Sequence, residues 1–150
     1  MRHQGDKGKM IRTAISALLA STAVGSIALA GDFDGEKPLV CSSIQAIECA
    51  IGDCYLGLAE DINAPQFFRI DFNAGTIETI AQGEHKRTSK IKHRDTFQGN
   101  LVLQGAEDGD DMDNPGVAWS LAIDSESGNM VLTASGDEVG FIMFGACTTM

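Results

Sequence analysis

The chain has 150 residues, of which 43% are hydrophobic, and its 21 acidic and 11 basic side chains give a formal charge of -10. This length supports one ordinary domain and excludes two domains with independent cores. The negative charge excludes a nucleic-acid-binding protein, because the neutralisation of phosphates requires a basic surface.

The first 30 residues have the pattern of a signal peptide. Basic residues precede an uncharged run over 13–30, and the run ends in Ala-Leu-Ala at 28–30, an A-x-A cleavage site. A shorter version of the same signal starts at Met10. The alternative is an uncleaved membrane anchor, which the many Ala, Ser and Thr residues disfavour. We therefore expect residues 31–150 to form one periplasmic or secreted domain, without stable membrane insertion after cleavage.

All four cysteines, Cys41, Cys49, Cys54 and Cys147, lie in this exported domain. An even set of cysteines in an exported chain predicts disulfides rather than a zinc site. Of the three connectivities, Cys49–Cys54 with Cys41–Cys147 is favoured. If residues 38–49 are extended, Cys41 and Cys49 lie roughly 27 Å apart at about 3.3 Å per residue, too far for a bridge. The long bridge would join the first strand to the last.

The exported domain has the period-two alternation of β-strands, clearest over 117–123 and 67–73. The predicted strands are 38–48, 54–58, 67–73, 76–82, 88–95, 100–105, 117–123, 129–134 and 139–146. Residues 41–50 fit a helix start as well as a strand. The pattern predicts an all-β, antiparallel up-and-down meander of about eight strands, closed or nearly closed into a small barrel. The likeness to lipocalins is one of architecture only, since their G-x-W signature is absent.

A short pattern, Asp followed by three residues, Gly, one residue and an apolar residue, recurs at 71–77, 95–101 and 124–130. Aspartate bonds nearby backbone amides and glycine supplies a positive φ, so each copy predicts a hairpin turn. The acidic stretch 107–114 looks like an insertion in the loop at the opposite end of these strands.

Two charge clusters are candidates for binding sites. Five of the seven basic residues of the exported domain lie over 86–94. On a regular strand Lys90, Lys92 and Arg94 share one face, where they would hold an anion; a solvated outer face is the alternative. The acidic stretch supplies oxygen ligands of the kind calcium prefers, and a solvated hairpin tip is the alternative. The candidate calcium ligands are Asp108, Asp110, Asp111 and Asp113.

No catalytic motif is present: G-x-S-x-G, H-E-x-x-H and a glycine-rich phosphate loop are all absent. Trp119 is expected to anchor the core, and the seven Phe, one Tyr and one Trp favour a packed interior over a roomy cavity. The leading hypothesis is a non-enzymatic module, without a cofactor, that binds a small ligand or an envelope protein. The alternatives are a small periplasmic hydrolase with His85 or His93 as its base, and a structural envelope protein.

Overall fold

The computed structural model of the chain describes residues 32–80, 87–111 and 114–150, with backbone alone at 108–111, 114 and 115. The predicted signal peptide lies outside the described residues. Strands dominate the described chain, and a single turn of 3-10 helix, Ala59–Ile62, lies between the second and third of them. The strands are β1 (Leu39–Ala50), β2 (Asp53–Gly57), β3 (Phe67–Asp71), β4 (Thr76–Thr79), β5 (Thr88–Phe97), β6 (Asn100–Asp111), β7 (Asn114–Asp124), β8 (Asn129–Ser135) and β9 (Val139–Thr149).

Eight of these strands form a closed antiparallel barrel. The order β1-β3-β4-β5-β6-β7-β8-β9 returns to β1, which pairs with β9 from Leu39 opposite Thr149 to Ala50 opposite Val139. The additional strand, β2, pairs with the second half of β1. The all-β barrel is therefore confirmed, and residues 41–50 form a strand rather than a helix.

The interior of the barrel is packed most tightly near the end where the chain enters. Its core consists of inward-facing side chains from alternate strand positions, which are almost completely removed from water. The fully buried members include Leu39, Phe68, Ile70, Leu101, Leu103, Leu121 and Ile123.

The entry segment, residues 32–38, covers this end of the barrel. Phe33 lies against Gly128, where a side chain would collide with its ring. Arg94 donates a hydrogen bond to the Gly35 carbonyl at 2.9 Å, and its guanidinium lies 5.7 Å from the centre of the Phe72 ring. We call this the closed end.

Two of the three predicted turns have the expected geometry. Asp71 accepts bonds from the amides of Asn73 and Ala74, and Asp124 accepts bonds from Glu126 and Ser127. The bonds from the Ser127 amide and hydroxyl hold the pKa of Asp124 below its ordinary value. The third hairpin turn also forms, with Gly99 at positive φ as predicted, but Asp95 does not end its strand. β5 continues past it to Phe97, and the chain reverses at Gln98 and Gly99, which both have positive φ.

The acidic stretch 107–114 does not form the expected insertion loop. β6 continues to Asp111 and β7 begins at Asn114, so the stretch lengthens the β6–β7 hairpin instead.

Both predicted disulfides are formed. Cys49 and Cys54 lie opposite each other in the β1–β2 hairpin, and Cys41 lies opposite Cys147 where β1 meets β9. Two disulfides are typical of a protein in an oxidising, exported compartment. Within the described part of the chain, no helix has the length and apolarity needed to cross a bilayer.

Candidate functional site

The half of the barrel opposite the closed end contains a cavity of about 280 Å³. The core side chains stop short of this end, which we call the cavity end. The connecting segment 58–66 crosses here and is anchored by a bond from the Ser43 hydroxyl to the Pro65 carbonyl. The expectation of a packed interior without a roomy cavity is therefore correct for the closed end and wrong for this one.

The wall of the cavity is mainly apolar and is contributed by most strands of the barrel. Its large side chains alternate along their strands with outward-facing residues, which places them on the inner surface. They are Phe68, Ile77, Trp119, Leu132, Phe141 and Met143.

Trp119 is held in this wall by a chain of hydrogen bonds. Its indole Nε1 donates to the Ser89 hydroxyl at 2.7 Å, and that hydroxyl donates to the Ala106 carbonyl at 3.1 Å. The indole ring lies over Gly105, where an added Cβ would collide with it. Trp119 is 8% exposed, so it anchors the core as predicted and also presents a ring face to the cavity.

Three charged residues line the cavity end: Arg87, Glu107 and Asp137. Arg87 is fixed in place, since its backbone N–H donates to the Thr79 hydroxyl and its Nη2 to the Asn63 carbonyl, both at 2.8 Å. Glu107 is at an inward position of β6, paired with Val117, and its side chain is 23% exposed. The Arg87 Nη1 lies 3.9 Å from the Glu107 carboxylate. Among the described residues, the charges around the cavity are therefore one cation and two anions.

The predicted row of three cations on β5 is not formed. A bulge between Ile91 and His93 makes Lys92 an extra residue, and the alternation of faces changes there. Lys90 and Lys92 are exposed. Arg94 pairs with the buried Leu103 and points into the closed end. Binding of an anion by Lys90, Lys92 and Arg94 stays a prediction.

Among the remaining predicted site residues, His93 is the one whose side chain is described, and it does not line the cavity. His93 is exposed and pairs with Gln104, which is also exposed, whereas His85 lies outside the described residues. The side chains of Asp108, Asp110 and Asp111 are likewise not described, nor is any part of Asp113. No His, Cys, Asp and Glu cluster suited to a metal occurs among the residues that are described. The hydrolase and the calcium site thus remain predictions.

An apolar patch lies on the outer surface of β8 and β9. Val131 pairs with Phe144, and Ile142 is two residues from Phe144 on the same face. The exposed fractions are 39% for Val131, 40% for Phe144 and 36% for Ile142.

Sequence reasoning did not find the cavity, although β6 contains one signal for it. The inward positions of this strand are Leu101, Leu103, Gly105 and Glu107. A glycine and a carboxylate in an otherwise apolar inward series indicate that the wall is not simply packed. The bond between Ser89 and Trp119 connects residues 30 positions apart and has no local signature.

Comparisons with known protein families, with characterised proteins and with solved structures found no match to this chain. The cavity and the charges around it are therefore the basis for the functional proposal.

Proposed function

We propose that this chain is an exported binding protein, periplasmic or secreted, that holds a small and largely apolar molecule in its barrel cavity. The observation that carries the proposal is the 280 Å³ cavity with its apolar wall. Binding sites for small molecules are concave, mainly apolar and furnished with a few polar groups, and the open ends of β-barrels are common locations for them.

The size of the cavity limits the ligand. An engineered protein cavity of about 150 Å³ holds one benzene molecule, so a space of about 280 Å³ suits a molecule with the bulk of two such rings or of a medium alkyl chain. The Trp119 N–H donates to the Ser89 hydroxyl, which itself donates to a backbone carbonyl. These two groups therefore need no hydrogen bond from the buried part of the ligand.

Filling the cavity tests the proposal. Ala134 lines it, whereas Ala122 pairs with Val131 on the outer surface. The protein should bind 1-octanol, and Ala134→Leu should weaken binding at least tenfold, while Ala122→Leu leaves it unchanged. Binding is measured by titration calorimetry and by the fluorescence of Trp119, the only tryptophan of the chain. Equal binding by the two variants, or no binding by the parent protein, contradicts the proposal. If the parent protein binds 1-octanol and Ala134→Leu does not, native mass spectrometry of protein from its own source identifies the retained ligand.

An envelope protein as the partner is the second candidate, favoured by the apolar patch of Val131, Ile142 and Phe144. In that case Phe144→Ser abolishes the association and Ala134→Leu does not, because the two positions lie on opposite faces of the barrel wall.

A further inference from the structure

Of the charged groups described at the cavity, the carboxylate of Glu107 is the one that is partly buried without a hydrogen-bond donor. The side chain points inward and is 23% exposed. Among the described residues, the one charged neighbour of this carboxylate is Arg87, whose Nη1 lies 3.9 Å away. No described residue donates a hydrogen bond to the carboxylate. A carboxylate accepts up to about four hydrogen bonds, and a partly buried one is disfavoured unless they are supplied.

Arg87 does not complete the environment of this carboxylate. Its Nη2 donates a hydrogen bond to the Asn63 carbonyl at 2.8 Å, whereas its Nη1 lies 3.9 Å from the Glu107 carboxylate, too far for a hydrogen bond. The second anion at the cavity, Asp137, has no cationic partner among the residues that the structure describes. The described lining of the cavity therefore offers hydrogen-bond acceptors to a ligand and carries a net negative charge.

The charge of the whole domain acts in the same direction. Residues 31–150 contain twenty acidic and seven basic side chains, a charge of -13. Such a field attracts cations and repels anions at the approach to the cavity. Phe68, Trp119 and Phe141 also line the cavity, and aromatic rings stabilise organic cations that lie over their faces.

We propose that the ligand is an apolar amine, whose ammonium group donates to the Glu107 carboxylate while its hydrocarbon part occupies the cavity. This inference rests on the proposed function, since it requires the cavity to be a binding site. The cavity by itself specifies only an apolar molecule. The Glu107 carboxylate adds the chemical class of the ligand, a small organic cation.

The test uses three probes with the same alkyl chain: n-octylamine, 1-octanol and octanoate. Octylamine should bind at least tenfold more tightly than octanol, because it adds a hydrogen bond to a charged group, and octanoate should bind most weakly. Glu107→Gln should remove the advantage of octylamine and leave octanol binding unchanged. The control is Glu126→Gln, which makes the same change in charge on an exposed turn at the closed end. Binding is followed by Trp119 fluorescence and calorimetry.

The outcomes separate the two proposals. Octanoate or octanol binding as tightly as octylamine overturns the assignment of a cation but leaves the apolar cavity as the site. An equal loss of octylamine binding in Glu107→Gln and Glu126→Gln means that only the overall charge acts, and it overturns the role of Glu107. If none of the probes binds, the proposed function fails as well.

Discussion

A single glycine fixes the shape of the cavity wall. Gly105 lies beneath the indole of Trp119 and beside the Lys90 carbonyl, so there is no room for a side chain at this position. The absence of a Cβ lets the ring lie flat against β6, from where Nε1 reaches Ser89. If Gly105 carried a side chain, the indole would be displaced into the cavity that it now lines.

Gly105→Ala tests this relation between the two residues. The added methyl group meets both the indole and a backbone carbonyl, so we expect a loss of about 1–3 kcal/mol in the free energy of unfolding and a change in Trp119 emission. Gly140→Ala is the matched control, because β9 offers a strand glycine whose nearest neighbour to an added Cβ is the Ala134 carbonyl at 4.0 Å. Urea unfolding with fluorescence detection measures both variants. If they have equal stability, Gly105 is not needed for the position of Trp119.

At the scale of the strand, β-bulges decide which residues reach the interior. The bulge in β5 makes Lys92 an extra residue, so that Ser89 and Ile91 face inward before it and Arg94 faces inward after it. A second bulge, between Ser43 and Gln45 of β1, leaves Ile44 65% exposed. Without the β5 bulge, Arg94 would join Lys90 outside and the closed end would lose its contact with Gly35.

Deletion of Lys92 should therefore be tolerated. The shortened strand alternates regularly, with Ser89, Ile91 and Arg94 still inward, so the register on both sides is kept. Deletion of Lys90 removes the same charge but turns Ser89 away from Trp119, and we expect a clearly lower urea midpoint and a shifted Trp119 emission. Circular dichroism and fluorescence unfolding compare the two deletions. Equal destabilisation by both would show that the bulge does not preserve the register.

For the whole molecule, the decisive feature is the pairing of the first and last barrel strands. β1 and β9 are joined over their full lengths although most of the chain lies between them. The Cys41–Cys147 disulfide crosses this junction and closes a loop with a sequence separation of 106, against 5 for Cys49–Cys54. The long bridge restrains the unfolded chain far more than the short one.

Removal of each bridge should reveal this difference. In the chain-entropy treatment, replacing Cys41 and Cys147 with alanine costs about 4–5 kcal/mol, whereas the same change at Cys49 and Cys54 costs about 2 kcal/mol. Both double variants remove the same atoms, and urea unfolding followed by Trp119 fluorescence measures the losses. A larger loss at the short bridge would contradict the assignment of closure to Cys41–Cys147.

The amino-acid sequence determined the local features of this protein by itself. From residue 67 onward, the alternation of apolar and polar residues located the strands, because the period of a strand is a property of neighbouring residues, whereas residues 41–50 fitted a helix as well as a strand. The Asp and Gly signals located the turns after Asp71 and Asp124. The limited reach of an extended chain excluded a Cys41–Cys49 bridge and so favoured the two disulfides that are formed. Glu107 was expected in the acidic loop 107–114, and its inward position follows only from the extension of β6 to Asp111.

Only the tertiary structure decided where the interior is hollow and which charges meet there. Arg87, Glu107 and Asp137 come from three separate parts of the chain and are brought together by closure of the barrel. The bulge that separates Arg94 from Lys90 depends on the register with β6 rather than on the composition of β5. A cavity is the space that packed side chains fail to fill, so it is a property of the assembled strands, and the inward Gly105 and Glu107 of β6 show it only once their neighbours in the barrel are known.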